Sequence, residues 1–235
     1  MEKKNVSYKK LPQSLKLLFT TAGSLSLLFL SVNAQESSSV SLPDVLVIDT
    51  MESQSVNSLG GRNAVYKESP SDITFSKSNK FGRIENNPAL KIKFNRQVEG
   101  GRGNRGGWCG FYTKLKDQRK YTDNFGYLNG SKYNYMSFWV KIQQADFDFR
   151  IGVADKAMEL ADDSALMFNG VGSFVPAGKL TTEWQQAVIP LTEFPVDWTV
   201  ISAVSIAVEG ESFIDVPVRG EIFIDDIKFH VNDPS

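Results

Sequence analysis

One histidine and one cysteine in 235 residues leave little for nucleophilic or metal catalysis. A Ser-His-acid triad needs a histidine beside an activated nucleophile, and most zinc sites need several His or Cys ligands. His230 closes a predicted strand, and no Gly-x-Ser-x-Gly elbow accompanies it, so it reads as a strand-end histidine. Cys109 alternates in phase with Phe111 and Leu115, which predicts a buried, inert thiol. The glycine runs Leu59-Gly60-Gly61-Arg62 and Gly100-Gly101-Arg102-Gly103 lack the Gly-Lys-Ser/Thr ending of a phosphate loop. Asp155, Asp162, Asp163 and Glu183 are the acids available to a two-carboxylate hydrolase, but their spacing fixes no separation.

The stronger signal is aromatic. Trp108 and Tyr112 alternate out of phase with Cys109 and Phe111, and Trp139 with Met136, Phe138 and Val140. Asp148 and Arg150 stand opposite Phe147 and Phe149 in the same sense. If the three segments are neighbours in one sheet, two indoles and a phenol share an outer surface with an Arg and an Asp. Flat rings beside charged hydrogen-bonding groups suit a saccharide: the ring covers the C–H face while the charges bind hydroxyls. Trp108, Tyr112, Trp139, Arg150 and Asp155 are the expected ligand contacts. Trp184 reads as a core or strand-edge residue.

These side chains need strands to hold them, and the sequence supplies strands. Apolar residues recur with period two at Leu90–Phe94, Met136–Ile142, Phe147–Val153 and Val204–Val208. Further candidates are Val45–Met51, Gly107–Leu115, Gln185–Ile189 and Glu221–Phe229. Only Lys156–Phe168 has a helical look, and Asp162-Asp163 interrupts it. Strands with one apolar face each predict an all-β fold, a two-sheet antiparallel jelly-roll sandwich in a single domain at 44–231.

Five lysines of the leader precede or open an apolar run, Leu17 to Val32, that ends at Val32-Asn33-Ala34. This is the order of a secretory signal peptide, residues 1–34, followed by a Ser-rich lead-in over 35–43. The run is shorter than the ~20 apolar residues a membrane span needs, so no stable membrane anchor is expected in the mature chain. Cleavage leaves 21 basic against 26 acidic residues, a formal charge of −5. An acidic body argues against nucleic-acid binding. The expected location is the periplasm or the cell surface.

Several segments, in order, are similar to known domains. They are Val47-Ile48-Asp49-Thr50-Met51-Glu52, Asn57-Ser58-Leu59-Gly60-Gly61-Arg62, Gly107-Trp108-Cys109-Gly110-Phe111-Tyr112 and Ser137-Phe138-Trp139-Val140-Lys141. Ile151-Gly152-Val153-Ala154-Asp155, Thr182-Glu183-Trp184-Gln185 with Ile189-Pro190-Leu191, and Ile224-Asp225-Asp226-Ile227-Lys228-Phe229 complete the series. Together they resemble the galactose-binding-like jelly-roll domains, especially carbohydrate-binding modules of the β-glucan-binding kind, and also the complex I intermediate-associated domain. The resemblance implies a structural calcium where the first and last strands meet, with Asp49, Glu52 and Asp225 as its carboxylates. The family's Asp-Asp after the first strand is Asp49-Thr50 here, one acid fewer.

The expected function is therefore an exported, non-catalytic domain that binds carbohydrate through an exposed aromatic and charged sheet face. Its rival is a structural subunit of a bacterial envelope or appendage, such as a flagellar filament outer-layer protein, whose partner is another protein. A third reading is an enzyme acting through Asp162 and Asp163.

Overall fold

Eleven strands and one short helix follow one another along the described chain: β1 (Val45–Asp49), β2 (Asn63–Lys67), β3 (Asp72–Ser78), β4 (Ala89–Asn95), β5 (Cys109–Lys114), β6 (Tyr135–Ile142), β7 (Arg150–Asp155), α1 (Lys156–Leu160), β8 (Leu166–Gly170), β9 (Gln185–Pro190), β10 (Ile201–Val208) and β11 (Arg219–His230). The structure is a computed structural model that describes residues 41–97, 107–115, 126–144, 147–160, 166–208 and 219–235, with side chains left aside at 166–169. The expected leader, Asp162 and Asp163, and Gly100 to Gly103 lie outside the described residues. Among the described residues no helix is long and apolar enough to cross a membrane.

The strands form two antiparallel sheets, as the period-two pattern predicts. One runs β3-β4-β11-β6-β9, with β1 also paired to β11; the other runs β2-β5-β10-β7-β8. Between β4 and β7 the chain changes sheet at each step. The strand β5 belongs to the five-stranded sheet, β6 to the six-stranded one, and β7 returns to the first. This alternation corrects the expectation that β5, β6 and β7 lie side by side. In the five-stranded sheet β10 separates β5 from β7.

The inward faces make one core. Phe94, Phe138 and Phe229 from the six-stranded sheet meet Phe111 and Phe149 from the region of the other, all fully buried. Phe75 packs edge-on against Phe111 across the sheets, ring centres 5.2 Å apart. Each such side chain contributes about 1.5–3 kcal/mol by leaving water. Burial also pushes the Cys109 thiol up to about 12, so it stays protonated and unreactive, as its phase predicts.

The long strand β11 is shared along its length. Its first half pairs with β4 and its second half with β1, while β6 runs along the opposite edge. A bulge between Asp225 and Lys228, with Asp226 at φ +55°, restores the inward phase so that Ile222, Ile224, Ile227 and Phe229 all face the core. The helical suspect Lys156–Phe168 resolves into the five-residue α1 and the strand β8.

Candidate glycan-binding face

On the outward side of the five-stranded sheet, alternation leaves Tyr66 on β2, then Gly110, Tyr112 and Lys114 on β5, with Trp108 just ahead of it. Antiparallel register then places Tyr112 beside Ser205 and Ser205 beside Gly152; the next row is Tyr66, Gly110, Ala207, Arg150. On the other side of the Tyr112 row lie Lys114, Ala203 and Ala154. The two middle strands, β10 and β7, carry mostly Gly, Ala and Ser on this side, and Ser205, Ala207, Gly152 and Ala154 are buried between the larger side chains of the face. Neighbouring strands lie about 4.8 Å apart, so these two make a floor on the order of 10 Å wide.

Along one side of this floor stand three rings in contact. Tyr66 lies 5.6 Å from Trp108 at an interplanar angle of 49°, and 6.5 Å from Tyr112 at 25°. Trp108 is 37% exposed, one of few large apolar side chains so open to solvent among the described residues. The Tyr66 ring crosses over Gly110 and its hydroxyl donates to the Ile206 carbonyl at 3.4 Å. Arg150 rises from β7, the floor strand farther from the rings. At one end Glu159, from α1, pairs with Lys114 at 3.5 Å and accepts from the Tyr127 hydroxyl at 2.9 Å.

Of the five residues expected to touch ligand, Trp108, Tyr112 and Arg150 share this outward face. Trp139 does not, because β6 belongs to the other sheet. There it stands opposite Asp225, with the Arg83 guanidinium 4.3 Å over its ring, where a sugar would have to stack. Asp155 is buried, in phase with Ile151 and Val153 on the inward side. Its two carboxylate oxygens accept from the backbone amides of Met158 and Asp197, which starts α1 and ties down the 197 loop. Asp148, expected beside Arg150, instead accepts from the amides of Gly172 and Phe149. Trp184 lies half-buried under the Lys141 ammonium, 5.1 Å from its ring. Tyr66 was absent from the expected set. Gly110 was its available signal, since a glycine inside a strand marks a close approach by something else.

Among the described residues the histidine gives no catalytic group. His230 Nε2 and Ser137 Oγ share a hydrogen bond of 2.7 Å, and burial pulls the imidazole below its usual range. Ser137 is itself buried on β6, out of reach of a substrate.

The residues expected to hold calcium do not fit that ion. The Asp49 carboxylate is occupied by a lysine: Lys77 Nζ lies 2.6 Å from Oδ2, with the two side chains 2% and 1% exposed. Oδ1 accepts from the Met51 amide at 2.8 Å, and Asn63 Nδ2 approaches Oδ2 at 3.4 Å. Burial pushes the Asp49 carboxyl up and the Lys77 ammonium down, and their contact opposes both shifts. Asp225 is engaged elsewhere, by Asn87 Nδ2 at 3.0 Å and Arg83 Nε at 3.9 Å. Glu52 is exposed. Among the described residues no three His, Cys, Asp or Glu side chains gather as metal ligands.

Comparison with known proteins agrees with this architecture. The model of the family described as carbohydrate binding domain 30 matches residues 48–231, more than three quarters of the chain. The matching model is thus a carbohydrate-binding one rather than the complex I intermediate-associated domain. No curated protein sequence matches the chain. Among solved structures, a family 30 carbohydrate-binding module aligns with a TM-score of 0.55 at 17% identity, covering 84% of this chain and 91% of its own. The family 30 module of cellulosomal cellulase Cel9D-Cel44B of Clostridium thermocellum gives 0.51 at 19% identity, covering 82% and 99%. A family 11 module from Clostridium thermocellum, solved in complex with a β-1,3-1,4-mixed-linked tetrasaccharide, gives 0.53 at 12%, covering 81% and 97%. By its family model the chain belongs to the carbohydrate binding domain 30 family, and it is a non-catalytic carbohydrate-binding module.

Proposed function

We propose that the module holds a neutral glucan chain along the floor formed by β10 and β7, against the rings of Trp108, Tyr66 and Tyr112. The observation that carries this reading is the three-ring wall beside a strip of Gly, Ala and Ser. The rings cover the apolar C–H faces of successive sugars, and the small residues let the chain come close to the sheet. Arg150, across the floor, bonds hydroxyls. A mixed-linkage β-glucan is the ligand of choice because the family 11 module of similar fold was solved with such a tetrasaccharide. A few ring contacts of this kind give micromolar to millimolar affinity, about 4 to 8 kcal/mol.

The leader's charge and apolar order support export, so the glycan is met outside the cytoplasm. Affinity electrophoresis tests the binding reading. In gels containing mixed-linkage β-glucan the protein should be retarded, and Trp108→Ala should sharply reduce that retardation. Unchanged mobility of the wild-type protein in mixed-linkage glucan, xylan and other neutral polysaccharides contradicts the proposal.

A further inference from the structure

We propose a second saccharide site, away from the aromatic floor, in the cleft where the start of β6, the end of β9 and the segment after β11 converge. A cavity of about 650 Å³ opens there, well within the 300–1,000 Å³ range of small-ligand sites. A second cavity of about 430 Å³ adjoins it, and Tyr135, Pro190 and Asp233 line both. Together they form one groove beside the edge strand β9.

Its aromatic part is rigid. Trp198 packs edge-on against Phe229 at 5.8 Å and Phe194 at 6.4 Å. Gly130 backs the same ring so closely that a Cβ there would stand 3.1 Å from it. The remaining surface of the indole faces the cleft, with Tyr135 at the junction of the two cavities. The polar part is open. Among the described residues, the hydroxyls of Tyr135 and Thr192 and the amide of Asn232 make no hydrogen bond to the protein. Asp233 uses Oδ1 on the Ser235 amide, 2.9 Å away, and its Oδ2 has no partner among the described residues. Ser235 holds the Asp233 carboxyl below the usual carboxylate range, so it is ionised at neutral pH.

Among the described residues no lysine or arginine lines either cavity. A uronate, sulfate or phosphate would meet only the Asp233 carboxylate and be repelled. Rings, hydroxyls, an amide and one carboxylate acceptor suit a neutral short saccharide, whose vicinal hydroxyls donate to the carboxylate while a C–H face lies on the indole. The site stands on its own residues and does not depend on the reading of the five-stranded face. If both are occupied, one module bridges two chains or two stretches of one chain, and avidity follows without new contacts.

The test uses a protein whose aromatic wall is removed by Trp108→Ala with Tyr112→Ala. Cellobiose and xylobiose are titrated into it while backbone and indole NMR signals are followed. The proposal predicts saturable shifts at Tyr135, Trp198 and Asp233. Adding Tyr135→Ala and Asp233→Asn should weaken that binding at least about tenfold. The same two substitutions in the wild-type background should leave the shifts that mixed-linkage tetrasaccharide produces at Tyr66, Trp108 and Tyr112 unchanged, which separates failure of this site from failure of the other. No shift at these residues with either disaccharide, shifts that survive Tyr135→Ala with Asp233→Asn, or shifts produced only by a cationic amino sugar overturn it.

Discussion

The Tyr66 ring occupies the space that a side chain at Gly110 would fill. A Cβ built on Gly110 would stand 2.3 Å from both Cζ and the hydroxyl of Tyr66, and 2.4 Å from the Ile206 carbonyl oxygen. The tyrosine is thereby laid across β5, between Trp108 and Tyr112, and joins them into one wall. Gly110→Ala should lift Tyr66 and push on the β10 backbone. We expect a stability loss of about 1–3 kcal/mol, because the carbonyl cannot swing away like a side chain. Glucan affinity should fall with it. Thermal unfolding and glucan titration of the same variant check both, and an unperturbed Tm would contradict the contact.

Trp108 and Trp139 look equivalent in sequence and stand in opposite situations in the fold. Trp108→Ala should weaken glucan binding by tenfold or more, a loss of at least about 1.4 kcal/mol. Trp139→Ala should leave it unchanged, because that indole lies on the six-stranded sheet under Arg83. Its cost appears in stability, through the lost cation–π contact, worth about 0.5–2 kcal/mol, together with lost packing. Calorimetric titration beside thermal melts distinguishes the two. A binding loss for Trp139→Ala with an unchanged melt would place the glycan on the wrong sheet.

This pair also shows what the sequence can and cannot tell. Period-two alternation sorts Trp139 from Phe138 and Tyr112 from Phe111, because an inward or outward choice is local to a strand. It says nothing about which of two sheets the strand joins, which is fixed by pairing between segments far apart in the chain. Hence alternation alone groups β6 with β5 and β7, although its partners are β9 and β11. The inward place of Asp155 is legible, because its phase matches Ile151 and Val153. Tyr66 was hard to see because Asn63–Lys67 has little apolar alternation and only Gly110, far downstream, announces its ring.

Lys77 takes the role of cation beside Asp49. Removing it as Lys77→Met leaves a buried carboxylate without its partner and should cost about 3–5 kcal/mol. Pairing it with Asp49→Leu should recover most of that loss, since the uncompensated charge is gone. The wild-type melting temperature should be the same in EDTA and in excess calcium. A Tm that falls in EDTA and returns with calcium would contradict the lysine's role.

Asp225 makes the fold weaken as pH rises. It is wholly buried at the β11 bulge, facing Asp226, Arg83, Asn87 and Trp139, with Lys228 bound to Asp226 at 3.2 Å. Burial first, and the Asp226 charge second, push its carboxyl up from 3.8 to about 6, against the pull of Arg83. The folded state therefore favours the protonated form. That contribution to stability is complete below about pH 4 and is lost as the pH rises through about 6. Asp225→Asn should remove this part of the pH dependence and melt higher than wild type at pH 7. Chemical denaturation across pH 4 to 8 reads the effect, and parallel curves for the two proteins would refute it.

The central claim is the place of the glycan, and NMR shift mapping with the mixed-linkage tetrasaccharide tests it most directly. The account predicts that the largest saturable shifts fall on Tyr66, Trp108, Tyr112, Arg150 and the β10 residues between them, with the Trp139 indole still. Shifts centred on Trp139 and Trp184, with the Trp108 indole unmoved, would contradict it.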